Sequence, residues 1–314
     1  MNHCLHFRVV LDTDRWLQLF YGLAILLLIQ AVLLSSAKAD EPLTTQSVLA
    51  AASDSDWRTV EPRNLLYLQL KTGVVVFELA SKFAPRHIDN IRGLVSTRYF
   101  DGLPIIRAQD NYVVQWGDPA VGSNKAKSLG DALPELEPEF FRSRAGLNIS
   151  ELDSRDAYAD AVGFADGFPV AWDEARAWLT HCYGILGVGR DTAANSGNGA
   201  EMYVVTGHSP RHLDRNVTLI GRVLTGIEHL SRLPRGTGAL GMYETEAEFV
   251  DIVSLRFGDE LAADERLKAE VLRSDTETFK RYLETRTFRR HEWFVDPAGR
   301  IELCNVQIPM RKVQ

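Results

Sequence analysis

The sequence predicts a mainly β fold, a closed antiparallel barrel with flanking helices, followed by a helical and hairpin extension. Three observations carry this. Strand-length apolar runs recur from Asn64 onward, Gly, Asp or Pro bounds each of them, and helical periodicity between them is sparse.

The chain begins with a targeting pattern. Arg8 and Arg15 precede an apolar run over residues 17–34, and Ala37-Lys38-Ala39 places small residues where a signal peptidase cleaves. The expectation is a signal peptide over residues 1–39, cleaved after Ala39, with export to the periplasm and no membrane contact afterwards. The alternative is an anchor through residues 17–34, because a run of that length can cross a bilayer. Residues 40–63 show no strong periodicity and read as a flexible leader.

The barrel is expected over residues 64–257. Leu65–Leu70 and Val74–Leu79 flank Lys71-Thr72-Gly73, a hairpin signal with glycine in the tight position. Pro85 suits a first helical turn, and Ala84, Ile88, Ile91 and Val95 recur at helical spacing. Tyr112–Val114, Ile185–Val188, Met202–Val205, Val217–Ile220 and Asp251–Phe257 read as short strands. Residues 120–180 break this rhythm and read as an insertion, with a short helix expected over Asp173–Thr180. Beyond residue 257 the extension is expected to hold a helix capped by Ser274-x-x-Glu277. A hairpin of Trp293–Val295 and Ile301–Val306, turning at Asp296-Pro297-Ala298-Gly299, is expected to follow.

Composition excludes more than it assigns. The 314 residues are 45% hydrophobic and 25% charged with net charge −7, and no Lys/Arg run exists to track phosphates. That argues against a nucleic-acid partner. Cys4 falls in the signal segment, leaving Cys182 and Cys304 as either one disulfide or two buried thiols. His208 and His212 lie four apart near His181-Cys182, but Pro210 breaks the helical spacing a zinc site would use, so no metal is expected. No cofactor motif occurs, and the oligomeric state is open.

One constellation points to chemistry. Tyr99-Phe100-Asp101-Gly102-Leu103-Pro104-Ile105-Ile106-Arg107 runs on to Tyr112-Val113-Val114-Gln115-Trp116-Gly117-Asp118. It resembles the signature of cyclophilin-type peptidyl-prolyl cis/trans isomerases, with the Arg-to-Gln spacing matched without a gap. Gly184-Ile185-Leu186, Asn198 to Tyr203, Leu213-Asp214 and Gly221-Arg222-Val223 follow in that family's order. The resemblance implies a cyclophilin-like barrel that isomerises X–Pro bonds of exported, proline-containing polypeptides without a cofactor. It implies Arg107 and Gln115 as catalytic residues. Tyr112, Val113, Glu201, Tyr203, His212 and Leu213 would contact substrate.

The residue types suit the reaction. Amide resonance sets a barrier of about 20 kcal/mol to X–Pro rotation. Lowering it requires a grip on the ring and a fixed cation beside the twisted amide, and Arg107 offers a permanent charge on a rigid fork. Several positions depart from the family pattern. Ile105-Ile106 replace Phe-His, Tyr203 replaces a Phe, Glu201 replaces a Gln, and His212 stands where a Trp is common. Glu201 is expected to pair with Arg107 and to be held ionised by it. The alternative function is a cyclophilin-fold module or scaffold that holds Pro-containing peptide without turning it over.

Overall fold

The computed structural model describes residues 43–313; the expected signal peptide 1–39, its alternative anchor 17–34 and Cys4 lie outside the described residues. Structure begins earlier than the leader reading allows. Helix α1 (Thr45–Ala50) buries Val48 and bonds through Thr45 Oγ1 to Thr285 Oγ1 at 2.9 Å, and strand β1 (Trp57–Thr59) follows. The sequence of this segment is too short and polar to reveal elements that gain their stability from tertiary partners.

Strands β2 (Leu65–Leu70) and β3 (Gly73–Leu79) form the expected hairpin, and helix α2 (Pro85–Ser96) follows with Pro85 in its first turn. Strands β4 (Pro104–Ala108) and β5 (Val113–Trp116) come next. The insertion then contributes β6 (Arg142–Ser143), β7 (Ile149–Leu152), β8 (Ala161–Ala165), β9 (Phe168–Trp172) and β10 (Arg176–Leu179). The barrel resumes with β11 (Ile185–Val188), β12 (Met202–Val205) and β13 (Leu219–Thr225). Helix α3 (Glu228–Ser231) and strand β14 (Val250–Phe257) complete it. Strand β15 (Ala269–Leu272), helix α4 (Glu277–Thr287) and strand β16 (Met310–Lys312) form the extension.

The barrel closes in the order β11-β12-β5-β4-β14-β2-β3-β13, with β13 pairing antiparallel to β11. Closure removes the open sheet edges that would otherwise recruit other chains. Alternation sends Leu66, Leu68 and Leu70 of β2, Val75 and Phe77 of β3, and Val114 and Trp116 of β5 into one interior cluster. The α2 residues Ile88, Ile91, Leu94 and Val95 join that cluster. Each such aliphatic side chain contributes about 1.5–3 kcal/mol on burial, the main term holding the barrel closed.

The insertion is a second sheet, ordered β6-β10-β9-β8-β7. The helix expected over Asp173–Thr180 is instead the turn and strand that end a β9–β10 hairpin. Asp173 Oδ1 accepts from the Ala175 and Arg176 amides at 3.1 and 2.8 Å, a local side-chain turn that competes with helix. Arg176, bonded to the same carboxylate, holds it down to about 2.

The extension differs from expectation at two places. Helix α4 is capped by Thr276, whose Oγ1 accepts from the Phe279 amide at 3.2 Å. Ser274 serves the insertion instead, with its Oγ accepting from the Gly167 amide and its carbonyl accepting from the Ser150 hydroxyl. The expected tail hairpin does not form. Residues 293–295 lie outside strands, and Leu303–Asn305 is a 3-10 turn capped by Glu302. The pairing goes to β16, which joins β15 and β1 in a three-stranded sheet. Val60, Ala269 and Val271 then pack on Leu65, Tyr67 and Val76, the outward residues of β2 and β3. Cys182 and Cys304 are disulfide-bonded, 122 residues apart in sequence.

Candidate active site

The site lies on the outer face of the wall β11-β12-β5-β4. Because Val114 and Trp116 point into the barrel, Val113 and Gln115 point out. Strand β12 places Tyr203 opposite Gln115, with Met202 and Val204 inward. Arg107 needs an additional device. Ile105 pairs with Trp116 and Arg107 pairs with Gln115, so Ile106 is an extra, bulged residue. Without the bulge Arg107 would stand opposite Val114 and face the interior. A bulge re-aims a side chain at the cost of one ladder position.

Arg107, Tyr112, Val113, Gln115, Tyr203 and Leu213 line one groove of about 300 Å³. Arg107 is held at every nitrogen. Its Nε donates to the Leu240 carbonyl at 2.7 Å, Nη1 to Gln115 Oε1 at 3.0 Å, and Nη2 to Gln109 Oε1. A guanidinium has five N–H groups, so two remain after these bonds. Its carbon lies 5.4 Å from the Tyr112 ring centroid. Burial pulls the group below its ordinary pKa, countered by Tyr112 and Glu201, and an arginine stays charged throughout.

Sequence reasoning missed the loop that supplies Leu240. The Tyr243 and Gly236 amides donate to the Ile106 and Ala108 carbonyls at 2.9 and 3.0 Å, closing the loop over β4. Leu240 adopts φ 57°, ψ 20°, a left-handed conformation costly for a side chain branched beyond Cβ, and this turns its carbonyl onto Arg107. The glycine-dense run Gly236-Thr237-Gly238-Ala239-Leu240-Gly241 was the available signal.

Glu201 corrects an expectation. Its Oε1 accepts from Gln115 Nε2, not from Arg107, and among the described residues no ion pair joins it to Arg107. It sits behind Gln115, and a Cβ at Gly189 would fall 2.7 Å from its Oε1, so a side chain there would displace the carboxylate. Burial, the largest influence, pushes its carboxyl above the ordinary 4.5, with Gln115 and Arg107 opposing. The cation therefore does not set its ionisation. Neither Glu201 nor His212 lines the groove, and His212 is solvent-exposed.

Tyr203 brings in residues that sequence reasoning did not select. Its hydroxyl lies 2.8 Å from His181 Nε2, and His181 Nδ1 lies 2.8 Å from Asp214 Oδ1. Asp214 Oδ2 accepts from Arg211 Nε at 2.6 Å, and Arg211 forks onto Asp156 at 2.8 and 3.1 Å. His181 is fully buried, and burial holds its pKa below 6.5 despite Asp214. The neutral ring then donates from Nδ1 to Asp214 and accepts the Tyr203 proton at Nε2. Burial raises the Tyr203 phenol strongly, so it remains a hydrogen-bond donor and not a base. The neighbouring Cys182 ties this buttress to the extension through Cys304. Among the described residues no group of acidic, His and Cys side chains could hold a metal.

The family model for cyclophilin type peptidyl-prolyl cis-trans isomerases matches residues 65–256. A probable peptidyl-prolyl cis-trans isomerase of Brucella suis is 23% identical over 179 residues, spanning 57% of this chain and 76% of the relative. Human peptidyl-prolyl cis-trans isomerase-like 1 is 31% identical over 101 residues, spanning 32% of this chain and 58% of that protein. A crystal structure of a cyclophilin from Hirschia baltica superposes with TM-score 0.66 at 26% identity, covering 86% of this chain and 97% of that one.

Proposed function

The chain belongs to the cyclophilin type peptidyl-prolyl cis-trans isomerases, and we propose that it twists X–Pro amides against Arg107 while the proline ring rests on Tyr112, Val113, Tyr203 and Leu213. The observation that supports this mechanism is the set of three bonds fixing Arg107 beside Gln115 on the groove wall. As the amide twists, its nitrogen becomes pyramidal and basic, and a guanidinium already held in place stabilises it without reorganising. An acceleration of about 10⁵-fold needs about 7 kcal/mol of preferential transition-state binding. Two N–H groups on a partly desolvated cation and a shaped apolar floor are the means available. Gln115 positions Arg107 and has its own amide fixed by Glu201.

The clients on this reading are exported polypeptides, supported by the signal-like pattern at residues 1–39. The bulk of the insertion and extension reaches the barrel near β3 and β13, where Arg58 pairs with Glu78 and Arg222 lies 5.1 Å from the Phe168 ring. In the barrel order β3 lies opposite β5, and β13 adjoins β11 at the edge of the site wall. The test is Arg107→Ala, assayed by exchange NMR on a short X–Pro peptide, with kcat/KM expected to fall at least tenfold. Wild-type turnover by a folded Arg107→Ala protein would sink the mechanism.

A further inference from the structure

The groove carries a second guanidinium. Arg190, two residues beyond β11, lines it together with Leu213 and Val217. Its Nε donates to the Asn216 carbonyl at 2.7 Å, and its Nη1 donates to the Asp191 and Thr192 carbonyls at 2.6 and 3.3 Å. The guanidinium carbon lies 5.8 Å from the Phe140 ring centroid. All these partners are neutral. Among the described residues Arg190 forms no ion pair and its Nη2 makes no hydrogen bond. Arg211, close by in sequence, shows the contrast, being fully consumed by Asp156 and Asp214.

These bonds brace the turn after β11, yet they leave the N–H groups of Nη2 unused. The remaining N–H groups sit on a guanidinium that is already immobilised, so a carboxylate meeting them pays little further side-chain ordering. Glu201 and Asp191 do not compete through their carboxylates. Glu201 is bonded to Gln115, and Asp191 meets Arg190 through its backbone carbonyl. A chain of net charge −7 thus presents two guanidiniums in a single groove. Such a local reversal of sign recruits negative ligands and rejects positive ones.

The topology sets the spacing. Arg190 follows β11 and Arg107 lies on β4, with β12 and β5 between them. Three interstrand steps of about 4.8 Å set them roughly 14 Å apart across the wall, and the register Arg107–Gln115–Tyr203–Gly187 puts Arg190 three residues further along the chain. An extended peptide advances about 3.3 Å per residue, and an acidic side chain reaches a few ångströms further. We infer that this isomerase selects X–Pro segments carrying an Asp or Glu two to four residues from the rotating bond, with Arg190 as the residue that reads it. This rests on the groove being the peptide site, as proposed above.

The experiment compares Glu, Gln and Lys at each of four positions on either side of an X–Pro bond, in otherwise identical peptides, by exchange NMR. At one position or more, kcat/KM for Glu is expected to exceed Gln at least threefold and Lys about tenfold, and to lose most of that margin in 0.5 M NaCl, which collapses the screening length to about 4 Å. Arg190→Gln should bring the Glu:Gln ratio to about one, and Arg190→Glu should invert it toward Lys. The ratio is the readout, whatever happens to overall turnover. Should Arg190→Glu not fold, Arg190→Gln and the salt titration suffice. Equal turnover of Glu and Gln peptides at every position overturns the inference and leaves the isomerase mechanism standing. A preference that persists in Arg190→Gln overturns the assignment to Arg190. If no peptide is turned over, the mechanism fails, and dissociation constants of the same Glu and Gln peptides decide the preference by themselves.

Discussion

Replacing Tyr203 with Phe restores the residue usual in the family, yet the structure predicts a loss of stability. The hydroxyl removed is the partner of His181 Nε2 at 2.8 Å, and His181 is wholly enclosed with Asp214 on its other nitrogen. With the ring enclosed, the imidazole acceptor loses its partner. A buried acceptor left unpaired costs about 1–3 kcal/mol, more than the net worth of the bond itself. Taking about 2 kcal/mol and 2–4 °C per kcal/mol for a domain of this size, the midpoint should fall by about 4–8 °C. Differential scanning calorimetry at pH 7.5, with the disulfide intact, measures it. The double variant Tyr203→Phe/His181→Leu should lose less than the sum of the single changes, because neither residue then strands the other. His181→Leu adds a pH readout. The buried ring has a folded pKa below its unfolded 6.5, so its contribution is complete above about pH 6.5 and is lost as pH falls through the folded value. The wild type should lose stability on acidification through that window more steeply than His181→Leu. A Tyr203→Phe protein as stable as the wild type would refute the reasoning.

Three further outcomes follow from the same structure. Reducing Cys182–Cys304, or replacing both with Ser, reopens a loop of 122 residues, worth about 5 kcal/mol in the chain-entropy limit; urea denaturation should show a loss of about 2–5 kcal/mol, and none at all would mean the extension is already held by packing. Glu78 bonds Arg58 at 2.5 Å and Arg222 at 2.9 Å while only 3% exposed. Glu78→Gln should therefore cost about 3–5 kcal/mol by stranding Arg222, and a loss below 1 kcal/mol would contradict it. Glu201→Ala should lower kcat/KM several-fold by releasing Gln115, whereas Glu201→Gln keeps an acceptor and should lower it less. Because burial raises the Glu201 carboxyl, its contribution is present below about pH 4.5 and is lost as pH rises through the folded value. The stability of Glu201→Gln relative to wild type should accordingly improve from pH 4 to pH 7, and a constant difference would rule that out.

The barrel strands were readable because their patterns are local. Ile185–Val188 and Met202–Val205 coincide with the strands expected, and Leu65–Leu70 does as well. The insertion was misread although it held a clear sign. Asp166-Gly167 joins β8 to β9, and both residues have positive φ, 51° and 78°, as the tight primed hairpin turn demands. Asp-Gly between apolar runs is among the strongest short-range hairpin signals. The tail was misread for a different reason. Residues 293–306 alternate as a hairpin would, but the pairing partner of β15 lies forty residues further along the chain, at Met310–Lys312. Local pattern does not choose between partners that compete only after the chain has folded.

At the site, spacing located the residues but did not say which of them touch. Gln115 stands opposite Arg107 on one side and opposite Tyr203 on the other. Residue 201, two before Tyr203 on the same face, is then the diagonal neighbour of Gln115, within reach of a long side chain. Glu201 therefore meets Gln115 first, and its charge reaches Arg107 only through that amide. The same register brings Tyr203 over Gly187, where a Cβ would fall 2.4 Å from its ring, so the tyrosine lies flat across β11 with its hydroxyl at His181. Two departures from the family pattern thus act through a neighbouring side chain. Glu201 acts on the orientation of Gln115, and Tyr203 acts on a histidine that follows the insertion. The insertion supplies Asp156 to the same buried chain, and the extension supplies Cys304 to its next residue. Segments that resemble appendages in sequence therefore set the rigidity of the groove floor.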